Sequence, residues 1–447
     1  MATPQITPPE LIPPADTAPG PATPADTLPT GADAPSTGVP AGADAPSTGV
    51  PAGADAPSTG VPAGADAPST DAPRIGGPAV RLPSLTGMRF PAALLVFLFH
   101  VSLPAHWLMA GDANTTLFAR LTEQAGGVGV TFFFVLSGFV LAWSAREGDP
   151  RTSFWRRRYV KIVPNYVVAW ALAMLLIASG TAWWRSAATF FMLQSWVPDY
   201  TTNFAVNSPG WSLSTEVFFY LCFPLLHAGV RRIAPQRLKF WIGGVIAGVF
   251  ATPWLATTFI PAGAVYMSNE PGVSGLHLWF AYVFPPSRLL DFLLGILVAR
   301  AVMLGRWRNI GLVWSGLLMV AGYVVAELPG VPYLLAQRAV CLVPCVLLIA
   351  AGALADASGR PTPFANRAMT WLGEVSFAFY LLHFIVLSEA RELLGAGLES
   401  GWAVAAFVVA ECAVSVLLSW AMYAWVEKPL VRRWSRSRAK APAAVAA

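Results

Sequence analysis

The residues best suited to chemistry are an arginine and a histidine, Arg89 and His100, set in an otherwise apolar stretch. A proton-exchanging imidazole is expensive to hold inside a membrane helix, so His100 is a functional candidate before anything else is known. If the stretch is helical throughout, the two lie ~16 Å apart along the axis, and eleven steps of ~100° bring them to nearly one face. Pro91 suits a first helical turn, which leaves Arg89 just outside the regular helix. The plainer alternatives are a packed histidine bonded to a carbonyl and an arginine that only sets orientation.

A second polar cluster enters from the opposite side in Asn207-Ser208-Pro209-Gly210-Trp211-Ser212-Leu213-Ser214-Thr215-Glu216. Pro209 suits a helix start, and Ser212 and Glu216, one turn apart, share a face. Helix rise sets Glu216 about 10 Å below that surface, near the depth expected for His100. A carboxylate that orients an imidazole is the pairing a general base needs, so Glu216 is expected to meet His100. The alternative is that the serines cap the helix and Glu216 pairs with an unrelated arginine.

The third constellation is Arg156-Arg157-Arg158-Tyr159-Val160-Lys161, in which Arg157 and Lys161 fall on one helical face. Guanidinium forks take phosphate oxygens in pairs, so the cluster fits a phosphate-rich ligand; anionic lipid headgroups fit it equally.

These residues need elements to hold them, and the composition says which. Hydrophobic residues make up 55% of the chain, charged residues only 12%, and there are 18 tryptophans, which excludes an ordinary soluble domain. Apolar windows of about twenty residues predict an all-α, polytopic bundle of about ten transmembrane helices. They fall near 85–104, 126–145, 160–180, 209–228, 240–260, 285–303, 309–327, 334–354, 370–390 and 402–426. The apolar stretch 183–197 is broken by Arg185, Gln194 and the following Pro198, and reads as interfacial or re-entrant. Cations crowd alternate loops: Arg146 to Lys161, Arg231 to Lys239, Arg300 to Arg308, Arg360 with Arg367, and the tail from Lys428 to Lys440. Only Arg120, Arg185 and Arg391 fall on the other side. The expectation is an even number of spans in the cytoplasmic (inner) membrane with both termini cytoplasmic, and a basic balance that needs no nucleic acid.

The first 82 residues differ in kind. GADAPSTGVPA recurs in tandem from Gly31, and its Pro, Gly, Ala, Asp and Ser leave almost nothing to bury, so residues 1–82 are expected to be a disordered tail. No apolar signal lies near Met1, so the first span is expected to direct insertion. Residues 83–434 form the membrane domain and 435–447 a basic cytoplasmic tail. The cysteines Cys222, Cys341, Cys345 and Cys412 sit in apolar runs without ligand-like spacing; they are read as core residues, and no metal is expected.

The ordered segments LTGMRFPAALLVFLFH, GGVGVTFFFVLSGFVLAW, RRRYVKIVP, WSLSTEVFFY, WLGEVSFAFYLLH and Glu427-Lys428-Pro429 resemble the acyltransferase-3 family of integral membrane O-acyltransferases, over about residues 82 to 434. The resemblance implies a bundle of about ten spans that moves an acyl group from cytosolic acyl-coenzyme A to a hydroxyl, commonly of a sugar or glycan. It makes His100 the base or transient acyl carrier, with Arg89 and Glu216 beside it, and Arg157, Arg158 and Lys161 the coenzyme-binding residues. Lys161 stands where arginine is more usual, and Phe377 where tyrosine is. Trp211, Ser212, Ser214, Arg288, Asp291 and His383 are read as the substrate path, although mutual neutralisation of Arg288 and Asp291 is the favoured structural role. Acetyl-coenzyme A is the expected donor. Glycan units, glycolipids such as lipid-linked sugars, and secreted small molecules such as macrolides are the open acceptors. The outer loop 261–284, with Tyr266, Glu270, His277 and Trp279, is expected to engage them. A proton-coupled transporter or flippase is the competing reading, since it too retains intramembrane His, Arg and Glu.

Overall fold

A computed structural model describes residues 80–103, 113–145, 148–263, 273–394 and 401–434. The tandem repeats, the tail after Trp434, and Arg146, Tyr266 and Glu270 lie outside the described residues. Among the described residues the architecture is all helical. Eight helices are long and apolar enough to span: α1 (Pro83–Val101), α2 (Leu117–Ser144), α3 (Arg151–Leu176), α4 (Gly210–Arg232), α5 (Pro235–Phe259), α6 (Gly275–Met303), and two more at Arg367–Leu394 and Trp402–Trp434. Two shorter apolar helices, α7 (Leu312–Ala326) and α8 (Leu342–Ala357), precede that last pair, which become α9 and α10. Every expected span has its helix. The stretch 183–197 forms only an eight-residue helix, Trp183–Phe190, and a short turn at Gln194–Trp196. Eight residues rise ~12 Å, too little to cross a bilayer.

The helix α2 is the centre of the bundle: 83% of its most apolar stretch is buried, against 17% for α10. Its glycines explain why. A Cβ on Gly138 would stand 2.0 Å from the Phe292 carbonyl oxygen of α6, and one on Gly295 of α6 would stand 2.1 Å from that of Val135. The two backbones touch because each offers a glycine where the other offers a carbonyl, which is how membrane helices gain packing without a hydrophobic drive between them. The outer faces of α3, α5, α7 and α10 carry exposed Trp, Leu and Val, as a lipid-facing surface requires.

Several spans break where function is expected. Met88 interrupts α1 between Pro83–Gly87 and Arg89–Val101, so Arg89 opens the second segment and Pro91 sits in its first turn. The expectation that Pro91 marks a first turn holds, with Arg89 inside the helix rather than beyond it. π-turns interrupt α6 at Trp279–Val283 and α10 at Tyr423–Glu427. The buried Glu427 accepts from Asn165 Nδ2 of α3 at 2.7 Å, which ties the final span to the basic one.

Candidate active site

A cavity of about 310 Å³ runs between α1, α2, α3, α4 and α9. One end of it is lined by Val80, Leu82, Trp143 and Ser144, at the C-terminal end of α2, where Val80 and Ser144 are exposed. Arg89 of α1 with Arg158 and Lys161 of α3 line one wall. Lys161 is within electrostatic reach of Arg89, Arg158, Glu216 and Glu427, and Arg158 lies over the rings of Phe154 and Tyr220 at 5.8 and 5.9 Å. Among the described lining residues three cations face one carboxylate, Glu216, so the cavity attracts anions while its Leu, Val and Phe walls suit an apolar chain.

Polar groups gather further in. Glu216 accepts from Ser137 Oγ at 3.1 Å and from the Tyr220 hydroxyl. Ser212 Oγ donates to the Pro209 carbonyl at 3.0 Å and lies 2.8 Å from the Tyr380 hydroxyl. All five side chains line the cavity. One turn of α9 beyond Tyr380 stands His383, its ring centroid 6.0 Å away.

His383 and His100 are paired. His383 Nδ1 is 3.0 Å from the Phe379 carbonyl, which can only accept, so the proton of the neutral ring is on Nδ1. Its Nε2 is therefore an acceptor, 3.0 Å from His100 Nδ1, which must donate. The lone pair of neutral His100 is thus fixed on Nε2. The two rings sit with Phe97, Phe99, Phe379 and Phe384 around them and are buried.

The sequence-based pairing is thereby corrected. Glu216 is bonded to Ser137 and Tyr220 across the cavity, and the group that orients His100 is His383. Arg157 does not share Lys161's wall: it forms an ion pair with Asp149, away from the cavity lining. Of the residues assigned to a substrate path, Ser212 lines the cavity. Trp211 is packed against Phe134, Phe204 and Tyr282, and Ser214 Oγ donates to the Met192 carbonyl at 2.6 Å. Arg288 and Asp291 do neutralise each other, at 3.2 Å, with a partner the sequence had not joined to them: Arg338, whose Nη2 is 3.1 Å from Asp291. Arg338 also donates to the Ala281 and Ser287 carbonyls, and the Arg288 guanidinium is sandwiched between Phe134 and Tyr282. The stretch 261–284, expected to be a loop, is helical from Gly275 as the start of α6, where His277 Nε2 bonds to the Ile260 carbonyl and Trp279 donates to that of Ser195, both structural roles.

Ser137, Tyr220 and Tyr380 are the lining groups bonded to Glu216 or Ser212 that sequence reasoning missed. Tyr220 had a signal, since it continues the Ser212–Glu216 face by one more turn. Tyr380 lies three residues before His383, again on a shared face. Ser137 is one hydroxyl inside an apolar run, and nothing local distinguishes it from a helix serine bonded to its own backbone.

The model of a family described as an acyltransferase domain matches residues 82–424. The acyltransferase MdmB of Streptomyces mycarofaciens is 40% identical over 377 residues, 81% of this chain and 95% of that protein. The exopolysaccharide production protein ExoZ of Rhizobium meliloti is 27% identical, over 71% of this chain and 93% of its own length. The peptidoglycan O-acetyltransferase OatA of Listeria monocytogenes is 23% identical over 74% of this chain, which spans 54% of that protein. No solved structure matches.

Proposed function

We propose a reaction that starts from one premise: this chain belongs to the acyltransferase-3 family, and is a membrane O-acyltransferase. In this reading the donor is acyl-coenzyme A, with acetyl the acyl group. The acceptor is a hydroxyl of a glycan, a lipid-linked sugar or a secreted small molecule. The enzyme sits in the cytoplasmic membrane with both termini inside, so the cavity mouth faces the cytosol. The names of ExoZ and OatA favour a carbohydrate acceptor.

The observation that carries the reading is one cavity with a cationic wall whose lining includes Tyr380, with the buried, oriented His100–His383 pair just behind it: the His383 ring lies 6.0 Å from that of Tyr380. At about 310 Å³ it is at the small end for drug-sized ligands, so it suits the pantetheine arm and acyl thioester, with the nucleotide phosphates at the Arg89, Arg158 and Lys161 wall. His100 Nε2 takes the proton of the acceptor hydroxyl, and the oxygen attacks the thioester carbonyl. The C–S bond breaks, and the departing thiolate takes up a proton, so the reaction is proton-neutral. His383 holds the tautomer and bears part of the charge that His100 acquires. The hydroxyls of Tyr380 and Ser212, 2.8 Å apart in the cavity lining, are the donors this reading assigns to the negative charge that gathers on the carbonyl oxygen. A transporter uses the same residue types, but family membership favours transfer.

The test is coenzyme A release from acetyl-coenzyme A by the purified protein with a glycan and small-molecule acceptor extract, wild type against His100→Ala. Release that needs both acceptor and His100 is expected. A folded protein that neither binds acetyl-coenzyme A nor releases coenzyme A would overturn the donor assignment. Rapid mixing without acceptor separates direct transfer, in which no acyl-histidine accumulates, from a carried acyl group.

A further inference from the structure

Among the described residues, two that are not glycine take a positive φ: Met192 at 55° and Val206 at 64°. Val206 is the costlier, because a β-branched side chain in that region is a true outlier. The Asn207 N–H donates back to the Ala205 carbonyl at 2.8 Å, so Val206 is the centre of a γ-turn of the rare, strained hand. The chain is held on both sides of it. Upstream, Asn203 Nδ2 donates to the Gln194 and Val197 carbonyls at 2.7 and 2.8 Å; downstream, the Gly210 N–H that opens α4 donates to the Asn207 carbonyl at 2.8 Å. Backbone strain persists only when its surroundings over-determine it, and such strain concentrates where function needs a side chain aimed.

The side chain that follows the turn is Asn207. Its Nδ2 donates at 2.9 Å to the Leu381 carbonyl of α9, 174 residues along the chain. A carbonyl can only accept, which fixes the amide with its nitrogen towards Leu381. Asn207 Oδ1 is left buried without a hydrogen-bond partner. Stability alone does not account for this bond. The Leu381 carbonyl already has the Ile385 N–H as a donor within its own helix, while the turn is strained and the amide oxygen goes unsatisfied. The location does account for it. Leu381 lies between Tyr380, whose hydroxyl is 2.8 Å from Ser212 Oγ, and His383, whose Nε2 accepts from His100 Nδ1. Asn207 and Ser212 together tie the entry of α4 to the turn of α9 that carries both side chains.

Resting on the transferase reading above, we infer that Asn207 is a positioning residue for acyl transfer. The strained turn at Val206 aims its amide at Leu381, and that bond sets the height and rotation of α9 at which His383 meets His100 and Tyr380 meets Ser212. Asn207 acts through α9, at a distance from the reacting atoms. Activity and stability should therefore respond differently to its loss. Replacing the amide by an apolar side chain of similar size removes an unsatisfied buried oxygen, so the fold loses little, whereas the histidine pair loses its fixed registration.

The test compares Asn207→Leu with the wild type, full length in nanodiscs. The chain has five histidines, few enough for solid-state NMR of ¹⁵N-labelled imidazoles, with His100→Ala and His383→Ala assigning the pair. In the wild type both rings should carry their proton on Nδ1. In Asn207→Leu these signals should give way to a mixture of tautomers. Acceptor-dependent kcat should fall about tenfold, the upper scale of one neutral hydrogen bond, with KM for acetyl-coenzyme A within twofold and no fall in melting temperature. Imidazole signals identical to the wild type would overturn the inference whatever the rate, since Asn207 would not act through the pair. If Asn207→Leu fails to fold, Asn207→Ala, which cannot overfill the site, is judged by the same signals; failure of both to fold would also overturn it, by making the amide a structural clamp. The imidazole signals need no turnover, so a wild type that binds no acetyl-coenzyme A would sink the transferase reading separately.

Discussion

Two groups of buried polar side chains lie in this bundle, and they are built on opposite rules. In the Arg288–Asp291–Arg338 cluster, two guanidinia share one carboxylate and Arg338 spends its remaining donors on carbonyls. All three side chains are essentially sealed. The His100–His383 pair is also buried, but it consists of two imidazoles, each with one nitrogen that donates and one that accepts, in a directional chain that ends on a carbonyl. It stands one helical turn from a side chain that lines an open cavity. Burial alone therefore does not mark a reactive site. In the reading proposed above, the difference is whether the group can pass on a proton and whether a ligand can come near it: the fixed charges hold helices together, and the histidine pair is the one assigned to react.

The contrast is tested most severely at its two centres. His100→Ala should lower acceptor-dependent coenzyme A release by about 10²–10⁴-fold, the range for loss of a general base, while thermal melting in detergent barely moves. Asp291→Ala should do the reverse. Two buried guanidinia lose their counter-charge, a cost of about 3–5 kcal/mol, seen as a large fall in melting temperature and in yield of folded protein. If His100→Ala unfolded the protein as Asp291→Ala does, the histidine pair would be architectural and the distinction would collapse.

A finer cut lies within the reactive region. His383→Ala removes the acceptor for His100 Nδ1 and frees its tautomer, so kcat should fall about tenfold to a hundredfold, with KM for acetyl-coenzyme A unchanged. His383→Gln, whose amide oxygen can accept from Nδ1, should recover part of the loss, which a packing role would not allow. On the cavity wall the split reverses. Arg158→Gln or Lys161→Gln should raise KM for acetyl-coenzyme A about tenfold with a smaller change in kcat, because a charge-assisted phosphate contact serves binding before chemistry.

How legible all this was depends on range. The spans were legible because twenty apolar residues in a row have few other uses, and each expected window has its helix. Arg288 and Asp291 were legible as a pair because they are one turn apart on one helix, whereas Arg338, 47 residues from Asp291, was not. The expected meeting of Glu216 with His100 does not take place: Ser137, which bonds Glu216, stands eleven residues or ~16 Å along α2 from Gly126, against which Phe99, the neighbour of His100, is packed. The heights and rotations of α4 and α9 are set by packing between helices. His383 rather than Glu216 faces His100 for that reason, and the local pattern of neither helix contains the information.

The smallest expected effect concerns the residue where sequence and geometry part most clearly. Arg157 stands inside a run of cations and, by helical spacing, shares a face with Lys161, yet only Arg158 and Lys161 line the cavity. The reason is Asp149, just before α3 begins. Its carboxylate captures the Arg157 guanidinium through both nitrogens and turns it away from the mouth. Arg157 and Asp149 remain 26% and 23% exposed, so the pair is a surface bridge worth less than about 1 kcal/mol. Arg157→Gln should then change KM for acetyl-coenzyme A less than twofold, against about tenfold for Arg158→Gln one position along. The measurement is a side-by-side titration of the two variants at low and moderate salt. An Arg157 effect as large as that of Arg158 would mean that the guanidinium leaves Asp149 when coenzyme arrives, and that the division between locked and available cations is made by the ligand rather than by the fold.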